Sequence, residues 1–153
     1  MSVLTAGDVM SRIVVTVTPQ ESPLMAWELM RRAGVHHIPV VDDHRRLHGI
    51  LTFQDLAMGW SGALSDLARR EVRDFLKAGR LPRVGLDRPM DVVASVMLDA
   101  GVDAVPVVDG HGRTVGLITV VDMLRVVAGR VKKAAGEGEV GPALFRLEPV
   151  LGR

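Results

Sequence analysis

The apolar positions of the chain fall into two kinds of run, and the two alternate. Residues 14–17, Val-Val-Thr-Val, form a short β-branched run and predict a strand. Ser22 and Pro23 follow, a residue suited to capping a helix and one suited to its first turn. Leu24, Trp27, Met30 and Ala33 then recur at helical spacing and predict a helix that buries them on one face. Arg31 and Arg32 stand in its last turn, where the helix dipole favours cations, and Gly34 predicts a left-handed cap. A second strand is predicted over 35–41, a polar turn over 42–46, a third strand over 48–53, and a second helix from near Gln54.

The same order returns downstream. A strand is predicted around 81–84, with Asp87 as cap of a helix whose face is Val92, Val93, Val96, Met97 and Ala100, and Gly101 as its end. Strands over 102–108 and 115–119 flank a turn at 109–113, and a last helix is predicted from 121 to about 131. The two stretches are copies. With an offset of 67, positions 33–56 and 100–123 are identical at 12 of 24 places, which carries Pro39 onto Pro106, Gly49 onto Gly116, Thr52 onto Thr119 and Asp55 onto Asp122. Near the start the offset slips by one, placing Asp8-Val9-Met10 over Asp74-Phe75-Leu76.

Each copy is thus a β-α-β-β-α unit, and a three-stranded sheet with two helices cannot cover its own apolar face. The expected architecture is α+β, two such repeats packed sheet to sheet about a pseudo-twofold axis. Its expected divisions are 8–58 for the first repeat, 59–71 for a linker, 72–130 for the second and 131–153 for a flexible tail. Leu64, Leu67 and Ala68 lie on one side of the linker and suggest a helix there.

Composition narrows the function classes. Apolar residues make up 48%, enough for a core, and 19 basic against 18 acidic residues leave a net charge of +1. That balance gives no electrostatic footprint for nucleic acid or an anionic membrane. No apolar run approaches the roughly 20 residues of a membrane span, and the first residues lack a secretory leader pattern, so a cytoplasmic protein is expected. Cysteine is absent, which excludes disulfides and thiolate metal sites. His36 and His37 are neighbours on a strand and point to opposite faces; His48 on the next strand could pair with one of them, but no metal site is expected. Asp42 and Asp43 fit a hairpin turn better than a carboxylate pair. No nucleophile elbow, P-loop or kinase signature occurs, so no catalytic residue is assigned and the chain is not expected to be an enzyme.

The residues with chemical interest are the strand-to-helix corners. Thr119 followed three places later by Asp122 is a capping box, as is Thr52 with Asp55. Capping alone accounts for both pairs. A second reading adds to it: the first N–H groups of a helix attract phosphate, and a carboxylate one turn in can accept both hydroxyls of a ribose.

The segments His36-His37-Ile38-Pro39-Val40-Val41-Asp42 and Gly49-Ile50-Leu51-Thr52-Phe53-Gln54-Asp55, with their partners in the second copy, resemble CBS (cystathionine-β-synthase) domains. The motif is specific because it occurs twice at one offset. The resemblance implies a stand-alone regulatory pair that binds an adenosine-containing ligand (AMP, ADP, ATP, NAD or S-adenosylmethionine) in clefts between the repeats, and a homodimer. It also implies that each Thr–Asp corner faces the first strand and h-P segment of the other copy. One site would then combine Val15, Thr16, His37, Ile38 and Pro39 with Thr119 and Asp122. The other would combine Pro82, Arg83, Ala104 and Val105 with Thr52 and Asp55. His37 favours an anion and Asp103, beside Ala104, disfavours one, so the Thr119–Asp122 site is expected to be the stronger. The competing expectation is a ligand-free dimerisation or docking module that keeps only the fold. No cofactor is required by either, and the regulated partner is not named by the sequence.

Overall fold

The computed structural model describes residues 3–13, 15–60 and 62–131; the expected C-terminal tail lies outside them from residue 132 onward. The elements are, in order, α1 (Ala6–Val9), β1 (Ser11–Arg12), α2 (Pro23–Ala33), β2 (His37–Val41), β3 (Leu47–Thr52), α3 (Phe53–Gly59), α4 (Leu64–Arg69), a 3-10 turn (Val72–Phe75), β4 (Val84–Gly85), α5 (Met90–Ala100), β5 (Ala104–Val108), β6 (Thr114–Thr119) and α6 (Val120–Val127). Among the described residues no helix is long and apolar enough to cross a membrane.

The chain divides into two compact units. One joins residues 3–13 to 80–131. Its sheet runs β1-β6-β5-β4, antiparallel except for the parallel pair β4–β5. Val105, Val107 and Ile118 point into a core closed by Met90, Val93 and Met97 of α5 and by Ala6 and Val9 of α1. The other unit holds residues 15–79. Its hairpin β2–β3 pairs His37 with Thr52, and Val17 adds a single parallel bridge to Val40. Ile38, Val40 and Leu51 meet Ala26, Leu29 and Met30 of α2 there, together with Val72 and Phe75. Each fully buried valine, leucine or isoleucine among them contributes about 1.5–3 kcal/mol relative to exposure.

The units exchange their opening segments. Residues 3–13 precede the first copy in sequence yet pack with the second. The Ala6 N–H donates to Arg88 O at 2.8 Å, and Gly7 N–H to Leu86 O at 2.9 Å. Residues 72–76 do the reverse: Val72 N–H donates to Glu21 O at 2.9 Å and Arg73 N–H to Pro19 O at 3.0 Å. These two pairs are repeat equivalents once the one-residue slip is applied. Both segments also carry the same cap, Thr5 N–H to Asp8 Oδ2 at 2.9 Å and Glu71 N–H to Asp74 Oδ2 at 2.8 Å. Arg70 fastens the second segment by donating to Gly59 O at 2.6 Å while lying 4.0 Å over the Phe75 ring.

Several local expectations are met and others corrected. Gly34 and Gly101 end their helices at φ 65° and 64°, and α4 forms in the linker with Leu67 buried. The buried stripe of α2 is Pro23, Ala26, Leu29 and Met30; Leu24 and Trp27 are exposed. The helix is rotated relative to the expected face because small Ala26 permits close approach to the sheet. In α5, Met90, Val93 and Met97 are buried and Ala100 is exposed. Pro89, not Asp87, is the residue before α5, since a proline there already fixes the entry angle. The expected strand over 14–17 reduces, among described residues, to the Val17 bridge. His48 pairs with neither His36 nor His37; its Nε2 lies 2.8 Å from Asp42 Oδ2.

The two hairpin turns are built alike. Asp42 Oδ1 accepts the His44 and Arg46 N–H groups at 2.8 and 2.9 Å, and Asp109 Oδ1 accepts those of His111 and Arg113 at the same distances. The left-handed position holds Gly112 at φ 76° in the second turn but Arg45 at φ 60° in the first. A side chain there costs about 1 kcal/mol. Arg45→Gly should therefore raise the unfolding free energy measured in urea, and Gly112→Ala should lower it, each by about 1 kcal/mol or less. The His48 ring, with the Arg46 and His44 N–H groups, holds the Asp42 carboxyl at about 2 against an ordinary 3.8. Folding lowers this pKa, so the stabilisation is whole above the ordinary value and is lost as pH falls through about 2. Asp42→Asn should destabilise at neutral pH, and its difference from the native chain should fade across that acid range in pH-dependent thermal unfolding.

Candidate functional site

Both Thr–Asp corners form as the local sequence dictates. A strand delivers its last residue in extended geometry, the threonine hydroxyl faces the first free N–H groups of the following helix, and the aspartate folds back on the threonine N–H. At the first corner Asp55 N–H donates to Thr52 Oγ1 at 2.9 Å and Thr52 N–H to Asp55 Oδ2 at 3.0 Å. At the second, Asp122 N–H reaches Thr119 Oγ1 at 3.4 Å and Thr119 N–H reaches Asp122 Oδ2 at 2.9 Å.

The surroundings of the carboxylates differ. Asp122 is 3% exposed. Its Oδ2 accepts also from Thr119 Oγ1 at 3.2 Å, and its Oδ1 from Ser11 Oγ at 3.3 Å and Arg125 Nη1 at 3.0 Å. Ser11 arrives on the exchanged segment and Arg125 lies one turn along α6. At Asp55 the nearest cation is Lys77, whose Nζ stands 4.0 Å from Oδ1 and whose side chain is 86% exposed.

Within the unit of residues 15–79 lie Val15, Thr16, His37, Ile38 and Pro39 together with Thr52 and Asp55. Val15, Ile38 and Pro39 are buried, His37 is half-buried and Thr16 is exposed. His37 and Thr52 are register partners at the end of the hairpin. The other unit brings together Pro82, Arg83, Ala104, Val105, Thr119 and Asp122. Ala104 and Thr119 are its corresponding partners, and Ala104 and Val105 are buried. A cavity of about 660 Å³ opens on this unit against Arg80, Leu81, Pro82, Arg83 and Ala100. That is within the size range of small-molecule pockets.

Sequence reasoning overlooked Ser11, Lys77, Arg80, Ala100 and Arg125. The i,i+3 spacing of Asp122 and Arg125 was a usable signal. Ser11 and Lys77 are equivalent under the one-residue slip, which marks them as occupying matching places, but their reach to a carboxylate needs the fold. Among the described residues no group of three His, Asp or Glu side chains could hold a metal ion.

The family model described as CBS domain matches residues 6–60 and 66–129, and the chain belongs to that family, with two copies of the domain. It is 29% identical over 123 residues to L-aspartate semialdehyde sulfurtransferase of Methanocaldococcus jannaschii, covering 80% of this chain and 23% of that protein. The chain spans 23%, 64% and 29% of the lengths of three curated relatives, so it matches part of each. Among solved structures, the CBS domain pair of protein MJ0100, in complex with 5-methylthioadenosine and S-adenosyl-L-methionine, matches with a TM-score of 0.72 at 26% identity. That match covers 84% of this chain and 99% of the other. CBSX2 in complex with AMP gives 0.67 at 26% identity, covering 82% of this chain and 96% of the other.

The unequal carboxylates have a measurable consequence for stability. Asp122→Ala removes a buried charged acceptor from four donors and should cost about 2–3 kcal/mol, whereas Asp55→Ala loses mainly a cap and should cost about 1 kcal/mol. Urea unfolding of the two variants tests this order.

Proposed function

We propose that this chain is a regulatory module that binds an adenosine-containing ligand between its two CBS repeats and assigns its own residues no catalytic step. The observation that carries this reading is the duplicated corner, Thr52 with Asp55 and Thr119 with Asp122, each setting a carboxylate one turn into a helix behind a capping threonine. Such a carboxylate suits a ribose diol, and the helix start suits phosphate. The likeness to pairs crystallised with S-adenosylmethionine, 5-methylthioadenosine or AMP supports the ligand class. The reading joins Thr119 and Asp122 to Val15, Thr16, His37, Ile38 and Pro39 in one site. It joins Thr52 and Asp55 to Pro82, Arg83, Ala104 and Val105 in the other. The cavity beside Pro82 and Arg83 supports the latter.

The ligand acts as a signal in this reading and not as a cofactor. A homodimer belongs to the same proposal. Val120, Val121, Leu124 and Val127 of α6 are exposed, an apolar helix face left open to water on one unit, and Phe53 and Met58 of α3 are exposed on the other. That surface also favours the second reading, a docking module that binds no small molecule.

A ligand that binds only the folded chain raises its stability with the logarithm of concentration, by about 2.7 kcal/mol at a hundred times Kd. Thermal unfolding with AMP, ADP, ATP, NAD and S-adenosylmethionine should show such a rise for at least one compound. No shift with any of them at millimolar concentration leaves the docking reading in its place.

A further inference from the structure

The two corners share a motif and differ in what holds the carboxylate. A carboxylate offers about four acceptor positions. Both side chains are largely buried, Asp122 at 4% exposed and Asp55 at 9%, but Asp122 has all four positions engaged: Thr119 N–H and Oγ1 on Oδ2, Ser11 Oγ and Arg125 Nη1 on Oδ1. A ribose diol needs two of those positions. Asp55 has one close donor on Oδ2, the Thr52 N–H, and Lys77 stands at 4.0 Å from Oδ1, beyond hydrogen-bond reach.

The difference is written into the repeat. The equivalent of Arg125 in the first copy is Met58, which cannot donate, so α3 has no guanidinium to fold back on Asp55. The equivalent of Ser11 is Lys77, a long and exposed side chain where the other corner has a short hydroxyl. One corner draws its cation from its own helix and the other from the exchanged segment.

We propose that Arg125 and Ser11 latch the Thr119–Asp122 corner. An adenosine ligand then fills the Thr52–Asp55 corner first and reaches Asp122 only when Arg125 swings away. The inference rests on the nucleotide-binding reading and adds an order of filling to it, reversing the order suggested by His37 against Ala104. A second observation points the same way: Pro82 and Arg83, two of the five residues that line the cavity, are assigned to the Thr52–Asp55 site. The Arg125 side chain is 48% exposed, so it can leave Asp122 for water. An ion pair that exposed is worth at most about fivefold in an equilibrium constant.

Isothermal titration of the full chain with AMP tests the order. The native chain should show a tighter event and a weaker one. Asp55→Asn should delete the tighter event, and Lys77→Glu, which adds a negative charge beside Asp55 at an exposed position, should weaken it. Arg125→Met should tighten the weaker event by about fivefold and leave the tighter one unchanged, and Ser11→Ala should shift the weaker event in the same direction by less. The latch is overturned if Arg125→Met leaves the weaker event alone or weakens it, or if Asp55→Asn deletes the weaker event. Absence of binding heat with AMP, 5-methylthioadenosine and S-adenosylmethionine overturns the nucleotide reading and the latch with it. That result is distinct from two events on which Arg125 has no effect.

Discussion

Gly49 and Gly116 lie in β3 and β6 with another segment pressed against them. A Cβ on Gly116 would come within 2.4 Å of Met10 Sδ and 3.0 Å of Ser11 O, and one on Gly49 within 3.1 Å of Leu76 Cδ2. At Gly116 a side chain would displace Met10 and crowd the Ser11 carbonyl, whereas at Gly49 Leu76 would have to give by a few tenths of an ångström. Because the approach is allowed, the exchanged segments lie directly on the hairpins, with Ala6 and Val9 or Val72 and Phe75 completing each core. Because they lie there, the residue after Met10 and the residue after Leu76 are delivered to a corner aspartate. The placing of Ser11 and Lys77 beside the corner aspartates thus goes with close packing at these two glycines, tighter at Gly116 than at Gly49.

The corners show how an arrangement required for helix capping can leave room for the recognition proposed for it. Thr52 and Thr119 are needed where they stand because a helix start leaves donors without partners, and Asp55 and Asp122 return the favour to the threonine N–H. A carboxylate placed for capping still has acceptor positions to spare, and what occupies those positions decides what else it can do. At Asp55 they face an exposed lysine; at Asp122 they are taken by a serine and an arginine. Two sites of one ancestry can thus differ through residues outside the shared motif.

Much of this was legible in the sequence. The hairpins, their polar turns and the glycine caps of α2 and α5 follow from local chemistry repeated at a fixed offset, and the one-residue slip falls after Met10 and Leu76, toward the end of the exchanged segments. The buried face of α2 was misjudged because Leu24 and Trp27 are larger than Ala26, and hydrophobic size does not reveal which side of a helix must approach a sheet closely. The strand before α2 was overestimated because β-branched residues satisfy burial as well as pairing: Val15 and Val17 are both buried, but only Val17 bridges a neighbour. At the corners the Thr–Asp pairs were visible, whereas the contact of Ser11 with Asp122 joins residues 111 apart and exists only after the sheet has assembled.

The exchange of opening segments bears on ancestry and on assembly. A lone repeat would leave its hairpin glycine uncovered and its own leading segment without a seat, while two identical copies could each complete the other as a swapped dimer. Fusing the copies end to end keeps the same reciprocal dependence and replaces a concentration-dependent encounter with an internal one of high effective concentration. During synthesis, the body of the first repeat emerges before residues 72–76 exist to seal it. Its hairpin must wait, incomplete, for a piece of the chain that the ribosome has not yet made.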